Sequence, residues 1–167
     1  MWHCNIMINL EKEIYLKIIF LLSFTILLTA YAIQYLLGYQ PCNLCIIERI
    51  PYFISLIIII LNYKYKTNHV FFSILLLLIF SFSFLISLYH IGIEQALIKE
   101  SNVCGSNNVG LTTKESILKS LQNMNISCKD VAFKIFGLSL TTYNMIISLL
   151  MLIISLKIYL ISNEEKK

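Results

Sequence analysis

Four long apolar runs, almost free of charge, constrain this chain more than anything else in it. Residues 18–47 contain no Lys, Arg, Asp or Glu, and positions 18–37 form an apolar stretch of 20 residues. About 20 residues is the length a helix needs to cross the hydrocarbon core of a bilayer. A second run, 50–62, is short for a span. It is expected to borrow residues from 46 onward and to let Arg49 reach toward the head groups. Pro51 then falls in the first turn of that helix, where the missing N–H does least harm. The third run covers 70–91, and the fourth covers 138–161 with Lys157 near its end. In a chain of 167 residues, 58% hydrophobic and 13% charged, no soluble core can take up this much apolar surface. The expected fold is an all-α membrane protein, a four-transmembrane-helix bundle forming one integral membrane domain over 1–167.

An Ala30-Tyr31-Ala32 triplet resembles a signal-peptide cleavage site. The apolar stretch runs on to Leu37, however, so the segment reads as a retained first span. The connections are unequal. Residues 38–45 make a short loop with Gly38 and Pro41, a short basic turn follows the second span, and 92–137 make a long polar loop. Within the long loop, Ile117, Leu118, Leu121 and Met124 recur at helical spacing, which predicts a small amphipathic helix at the membrane surface. A net charge of +4 with scattered basic residues argues against a nucleic-acid partner.

Alternation of four spans puts both termini and the turn with Lys64 and Lys66 on one side. Basic residues divide seven to six between the sides. Those in short loops and near span ends count most, which places the termini in the cytoplasm. The cysteines sort themselves by the same alternation. Cys42 and Cys45 follow the first span, Cys104 and Cys128 follow the third, and Cys4 is alone on the opposite face. Two potential pairs outside and one inert thiol in the reducing compartment agree with that orientation.

The pairs differ in kind. Cys42-Asn43-Leu44-Cys45 is C-x-x-C, a spacing shared by redox dithiols, structural disulfides and halves of zinc sites. A tight pair can lower the pKa of one thiol, and the thiolate is the attacking form. The start of a membrane helix and Arg49, one turn after Cys45, both favour an anion there. Cys104 and Cys128 are separated by 23 residues. Such a loop pair can meet an outside protein and then the first pair, as thiol–disulfide exchange requires.

Gly38-Tyr39-Gln40-Pro41-Cys42-Asn43-Leu44-Cys45-Ile46-Ile47-Glu48-Arg49 resembles the Pro-Cys-x-Leu-Cys-x-x-x-Arg signature of the disulfide bond formation protein B (DsbB) family. Cys128, Phe133, Phe136-Gly137-Leu138-Ser139 and Asn144 resemble that family's run from its last cysteine into the fourth helix. The resemblance covers roughly 15–160. It implies a thiol:quinone oxidoreductase of the bacterial inner membrane. A periplasmic, DsbA-like thioredoxin-fold partner would deliver electrons to Cys104 and Cys128, with Cys104 the point of attack. Cys42 and Cys45 would pass them to ubiquinone or menaquinone, with Cys45 the thiolate nearest the quinone. Arg49 and His90 would help bind it. Two departures stand out: no proline lies between Cys104 and Cys128, and Phe133 stands where the family often has Trp.

Other readings of the same residues are bland. Tyr39, Tyr52 and Tyr89 fit an aromatic belt, and Gln34 and Asn144 fit helix–helix hydrogen bonding. Two other function classes compete with the relay. One is a membrane thiol oxidoreductase of the vitamin K epoxide reductase type, whose loop pair precedes its C-x-x-C. The other is a scaffold with structural disulfides.

Overall fold

The computed structural model describes residues 2–65, 69–99, 104, 128–129, 134–135 and 137–164. The amphipathic helix expected at 116–124, and Phe133, lie outside the described residues. Helix α1 runs Trp2–Tyr35, α2 Asn43–Ile47, α3 Ile50–Tyr65 and α4 His69–Glu94. A two-residue ladder of β1 (Lys134–Ile135) and β2 (Leu138–Ser139) then leads into α5, Leu140–Glu164. Four segments are long and apolar enough to cross a membrane: Leu10–Tyr35, Asn43–Tyr65, His69–Glu94 and Leu140–Asn163. The protein is therefore a multi-pass helical membrane protein.

The second span explains why its apolar run looked too short. It begins at Asn43, three residues before the expected 46, and includes the polar Glu48-Arg49 step. Cys42 is the N-cap of α2, in an extended conformation (φ −70°, ψ 167°) with its sulfur accepting from Cys45 N–H at 3.2 Å. Pro51 has no N–H to give the carbonyl of Ile47, so the helix is interrupted and restarts as α3. At the break, Arg49 N–H reaches Ile46 O at 3.2 Å, one residue short of the α-helical partner. Two short helices therefore stack into one 23-residue span.

The bundle is inside-out relative to a soluble one. Leu21, Leu78 and Leu85 are each 62% exposed, as lipid-facing residues must be. Ser23, Ser55, Ser83, Ser87 and Ser148 are buried. Lipid tails are as apolar as leucine, so small residues and hydrogen bonds, not hydrophobic contrast, hold membrane helices together. Ser23 bonds Ser55 at 2.9 Å between α1 and α3, and Ser83 bonds Ser148 at 2.9 Å between α4 and α5. Around these, Ile19, Ile59, Leu76, Phe80 and Met151 form the apolar core. The helices pack in a ring, α1 on α3, α3 on α4, α4 on α5 and α5 on α1.

Tyr52 corrects one expectation. It is not in an aromatic belt: at 1% exposure it sits inside the bundle. Its hydroxyl donates to Asn144 Oδ1 at 2.6 Å and lies 3.0 Å from Ser148 Oγ, while Asn144 Nδ2 donates to Ser87 Oγ at 2.7 Å. With those partners available, a tyrosine's polar end is satisfied in the interior and has no need of the interface. Asn144 does bridge helices, as expected.

Two loop entries lie at the cysteine-bearing end of the bundle. At the end of α4, Ala96 N–H bonds Ile93 O at 2.9 Å and Leu97 N–H bonds Gly92 O at 2.9 Å, with Ala96 at φ 56°. This is a Schellman cap with alanine in the left-handed position that glycine usually fills. Ile98 folds onto Gly92, where an added Cβ would meet its Cδ1 at 2.7 Å. At the start of α5, Gly137 (φ 82°) turns the β1–β2 ladder, and Ser139 becomes the helix cap, accepting from Thr142 N–H at 3.3 Å.

Candidate redox site

The α2 cap, the ends of α1 and α4, and the start of α5 meet at one end of the bundle. There they enclose a cavity of about 420 Å³. Apolar side chains of α1 and α5, among them Leu22, Ile26, Ile33 and Ile147, form much of its wall. Among its polar groups, Gln34, Glu48, Arg49, His90, Glu94, Thr141 and Asn144 come from four elements of the fold. This mix is what small-molecule sites commonly offer, an apolar container with a few orienting groups.

Of the six residues singled out in the sequence, Cys42, Cys45, Arg49, His90 and Cys128 all line this cavity. Cys104 reaches it through Cys128, to which it is disulfide-bonded with a Cα–Cα distance of 5.4 Å. Cys42 and Cys45 are both thiols. The two pairs are packed together: Cys42, Cys104 and Cys128 share one buried apolar cluster with Leu44 and Ile93, and Cys45 and Tyr89 lie against it. Nearly sixty residues separate Cys45 from Cys104 in sequence, so the fold and not local spacing brings the pairs together.

His90 is buried, at 1% exposure. Its Nδ1 lies 3.0 Å from Glu48 Oε1 and its Nε2 lies 3.6 Å from Cys42 Sγ. With Nδ1–H donated to the carboxylate, Nε2 is the nitrogen that shares a proton with Cys42. Cys42, His90 and Glu48 thus form a thiol–imidazole–carboxylate line. The Cys42 thiol is pulled down to about 5 from an ordinary 9.0. The hydrogen bond from the Cys45 thiol contributes most; burial opposes it, and the contacts from His90 and from Cys45 N–H add to the lowering. Cys42, not Cys45 as the family resemblance implied, is therefore the thiolate of the pair in this dithiol form, because Cys45 and His90 both donate toward its sulfur.

Arg49 does not turn toward the sulfurs. Its Nη1 donates to Gln34 Oε1 at 2.6 Å, and its guanidinium lies 5.1 Å above the Tyr31 ring. Both partners are on α1, so Arg49 is fixed across the cavity wall rather than floating at the head groups. Gln34 does bond between helices, and the residue it holds is Arg49. A further set of contacts closes the far side: Thr141 Oγ1 donates to Glu94 Oε1 at 2.6 Å and Ser139 Oγ donates to Glu94 Oε2 at 2.7 Å. That carboxylate ties α4 to the start of α5 behind His90.

Glu48 and Glu94 escaped sequence reasoning. A signal existed for Glu48: an acid inside a membrane span, buried and paired, is a candidate functional group by default. It was hidden because Glu48 adjoins Arg49 in a stretch read as interfacial. Its partner His90 is 42 residues away.

The sequence matches the family of disulfide bond formation protein DsbB over residues 12–158. It is also similar to the uncharacterized protein RP370 of Rickettsia prowazekii (strain Madrid E), 31% identical over 156 residues that span 89% of this chain and 91% of the relative. No solved structure gives a significant match. Four membrane-crossing helices, two cysteine pairs in one cluster and a match along most of the chain lead to one conclusion: the protein belongs to the DsbB family of membrane disulfide-bond oxidoreductases.

Proposed function

We propose that this protein is a thiol:quinone oxidoreductase of the bacterial inner membrane, with both termini in the cytoplasm, that reoxidises a periplasmic DsbA-like thioredoxin-fold protein. The observation that carries this reading is the packing of both cysteine pairs beside one cavity that also holds Arg49 and His90. A purely structural pair of disulfides would have no use for a low-pKa thiolate or for a cavity next to it.

The relay balances as follows. A thiolate of the reduced partner attacks Cys104 Sγ of the Cys104–Cys128 disulfide, and Cys128 leaves as thiolate. The partner's second thiol resolves the mixed disulfide, so the partner departs oxidised and Cys104 and Cys128 hold the two electrons as thiols. Exchange with a Cys42–Cys45 disulfide moves those electrons inward and re-forms Cys104–Cys128. The resulting species has an oxidised loop pair and a reduced C-x-x-C pair. Re-forming the Cys42–Cys45 disulfide then releases two electrons and two protons into the cavity.

The cavity suits a quinone head group: it is mostly apolar, of small-molecule size, with the Arg49 guanidinium on its wall and His90 beside Cys42. A bound quinone supplies a two-electron, two-proton acceptor, ubiquinone and menaquinone alike. Arg49, held by Gln34 and Tyr31, would bind a quinone oxygen and favour negative charge on it. Cys45 lines the same cavity and is assigned as the sulfur facing the quinone. His90 holds the proton it shares with Cys42, and Glu48 fixes the ring. The sink must be strong, because a partner as oxidising as DsbA has a potential of about −120 mV. The test is quinone reduction by the purified protein supplied with a reduced DsbA-like partner. Turnover is expected, with loss of it when Cys42 and Cys45 are both changed to Ser; unchanged turnover in that variant would refute the relay.

A further inference from the structure

Cys42 Sγ, Cys45 Sγ and His90 Nε2 all lie within 4.8 Å of one another. Three soft or borderline donors converging on one point raise a possibility outside redox exchange. We propose that the reduced form of this site binds a thiophilic divalent cation of the zinc class through Cys42, Cys45 and His90, and that the bound ion withholds the pair from disulfide exchange. The second half rests on the proposed relay; the first does not.

The geometry is near that of a finished site. Zinc–sulfur bonds of about 2.3 Å and zinc–nitrogen bonds of about 2.0–2.1 Å at tetrahedral angles put sulfur and nitrogen ligands about 3.6 Å apart. Cys42 Sγ and His90 Nε2 are 3.6 Å apart without any ion to draw them together. Two cysteines and one histidine leave a fourth position open, a donor set used by catalytic zinc sites. The surrounding contacts also fit. Ligating histidines generally give their other nitrogen to a carboxylate, and His90 Nδ1 is 3.0 Å from Glu48. Thiolate ligands are stabilised by N–H donors, and Cys45 N–H already points at Cys42 Sγ.

Two properties follow from the ligand chemistry. Binding replaces two protons of the Cys42, Cys45 and His90 set, so it releases two protons per ion. It also depends on redox state. A Cys42–Cys45 disulfide has no thiolate to give, so oxidation removes two of three ligands and must eject the ion. The site would therefore load only when the relay stalls in its reduced form, and metal bound there would keep it reduced until the ion is removed.

The experiment uses full-length protein carrying Cys4→Ser, Cys104→Ser and Cys128→Ser, so that only the C-x-x-C pair can respond. Cobalt(II) is titrated into the phosphine-reduced and the oxidised protein, and the near-ultraviolet sulfur-to-cobalt absorption is followed. The expected result is a saturable signal at one ion per chain in the reduced protein, none in the oxidised protein, and displacement by zinc. Glu48→Gln, which keeps the ligands, should weaken binding about 10–100-fold, and His90→Ala should weaken it at least as much. Absence of the signal in the reduced protein, or a signal unchanged by His90→Ala, would overturn the assigned site. In the protein with its native cysteines, zinc should slow quinone reduction and a chelator should restore it. Cobalt binding without any slowing by zinc would overturn the withholding role. Failure of turnover altogether would overturn the relay and leave the cobalt result standing.

Discussion

The Cys42 thiolate yields a prediction with a worked magnitude. Its pKa falls from an ordinary 9.0 to about 5. At pH 7 the thiolate fraction then rises from about 1% to about 99%, roughly 100-fold. Intrinsic nucleophilicity falls as well: with a Brønsted slope of 0.4–0.5, the same change in basicity costs about 40–100-fold in rate per thiolate. The two effects nearly cancel at neutral pH, so the rate there says little. The midpoint of the pH profile carries the information. Alkylation of Cys42 by iodoacetamide, resolved from Cys45 by peptide mass spectrometry and run with a chelator present, should reach half its plateau near pH 5 and be flat above about pH 6.5. The sign is fixed by the lowering: the reactive form is present above the midpoint and lost as pH falls through it. His90→Ala removes one of the lowering contacts and should move the midpoint upward. Cys45→Ala, made together with Cys104→Ser and Cys128→Ser so that Cys42 stays a free thiol, removes the largest one and should move it further. A wild-type rate still climbing through pH 8–9, or a midpoint unmoved by either change, would refute the assignment of the thiolate to Cys42.

Other consequences are as direct. In Cys45→Ala, Cys42 has lost its own partner but still packs against the loop disulfide, so a Cys42–Cys128 cross-link should accumulate; peptide mapping under non-reducing conditions reads it, and recovery of only Cys104–Cys128 would contradict the packing. Tyr52→Phe strips the hydroxyl from Asn144 and Ser148, and should cost about 1 kcal/mol of unfolding free energy in detergent titrations, the scale of hydrogen bonds between membrane helices. Ala96→Gly relieves a left-handed alanine worth about 1 kcal/mol, partly offset by a more flexible unfolded chain, so a small rise in stability is expected with no change in activity.

Much of this was legible in the chain before folding. Charge-free runs located four helices because a bilayer tolerates few other sequences. The C-x-x-C, with Pro41 and Arg49 around it, marked the family. Arg49 and His90 line one cavity with three of the cysteines, although Arg49 faces Gln34 and Tyr31, partners on another helix that no local pattern could supply. Tyr52 was misjudged because a tyrosine near a span end reads the same whether it faces lipid or the interior; the difference is made by Asn144 and Ser148, more than ninety residues on. Glu48 was missed for a similar reason, since its pairing exists only where the end of α2 meets His90 of α4. The register of the second span was off by three residues because Pro51 splits the helix while leaving the span continuous. Local chemistry was readable; pairings between helices were not.

In the proposed relay, electrons enter at Cys104–Cys128 and leave from Cys42–Cys45 into the cavity. The most direct measurement is a single-turnover mix of reduced DsbA-like partner with the quinone-loaded protein, with quinone absorbance and partner thiols followed together. One quinone should be reduced for each partner disulfide formed. Cys104→Ser/Cys128→Ser should abolish oxidation of the partner, and Cys42→Ser/Cys45→Ser should abolish reduction of the quinone. Quinone reduction that persists at the wild-type rate without Cys42 and Cys45 would contradict the account.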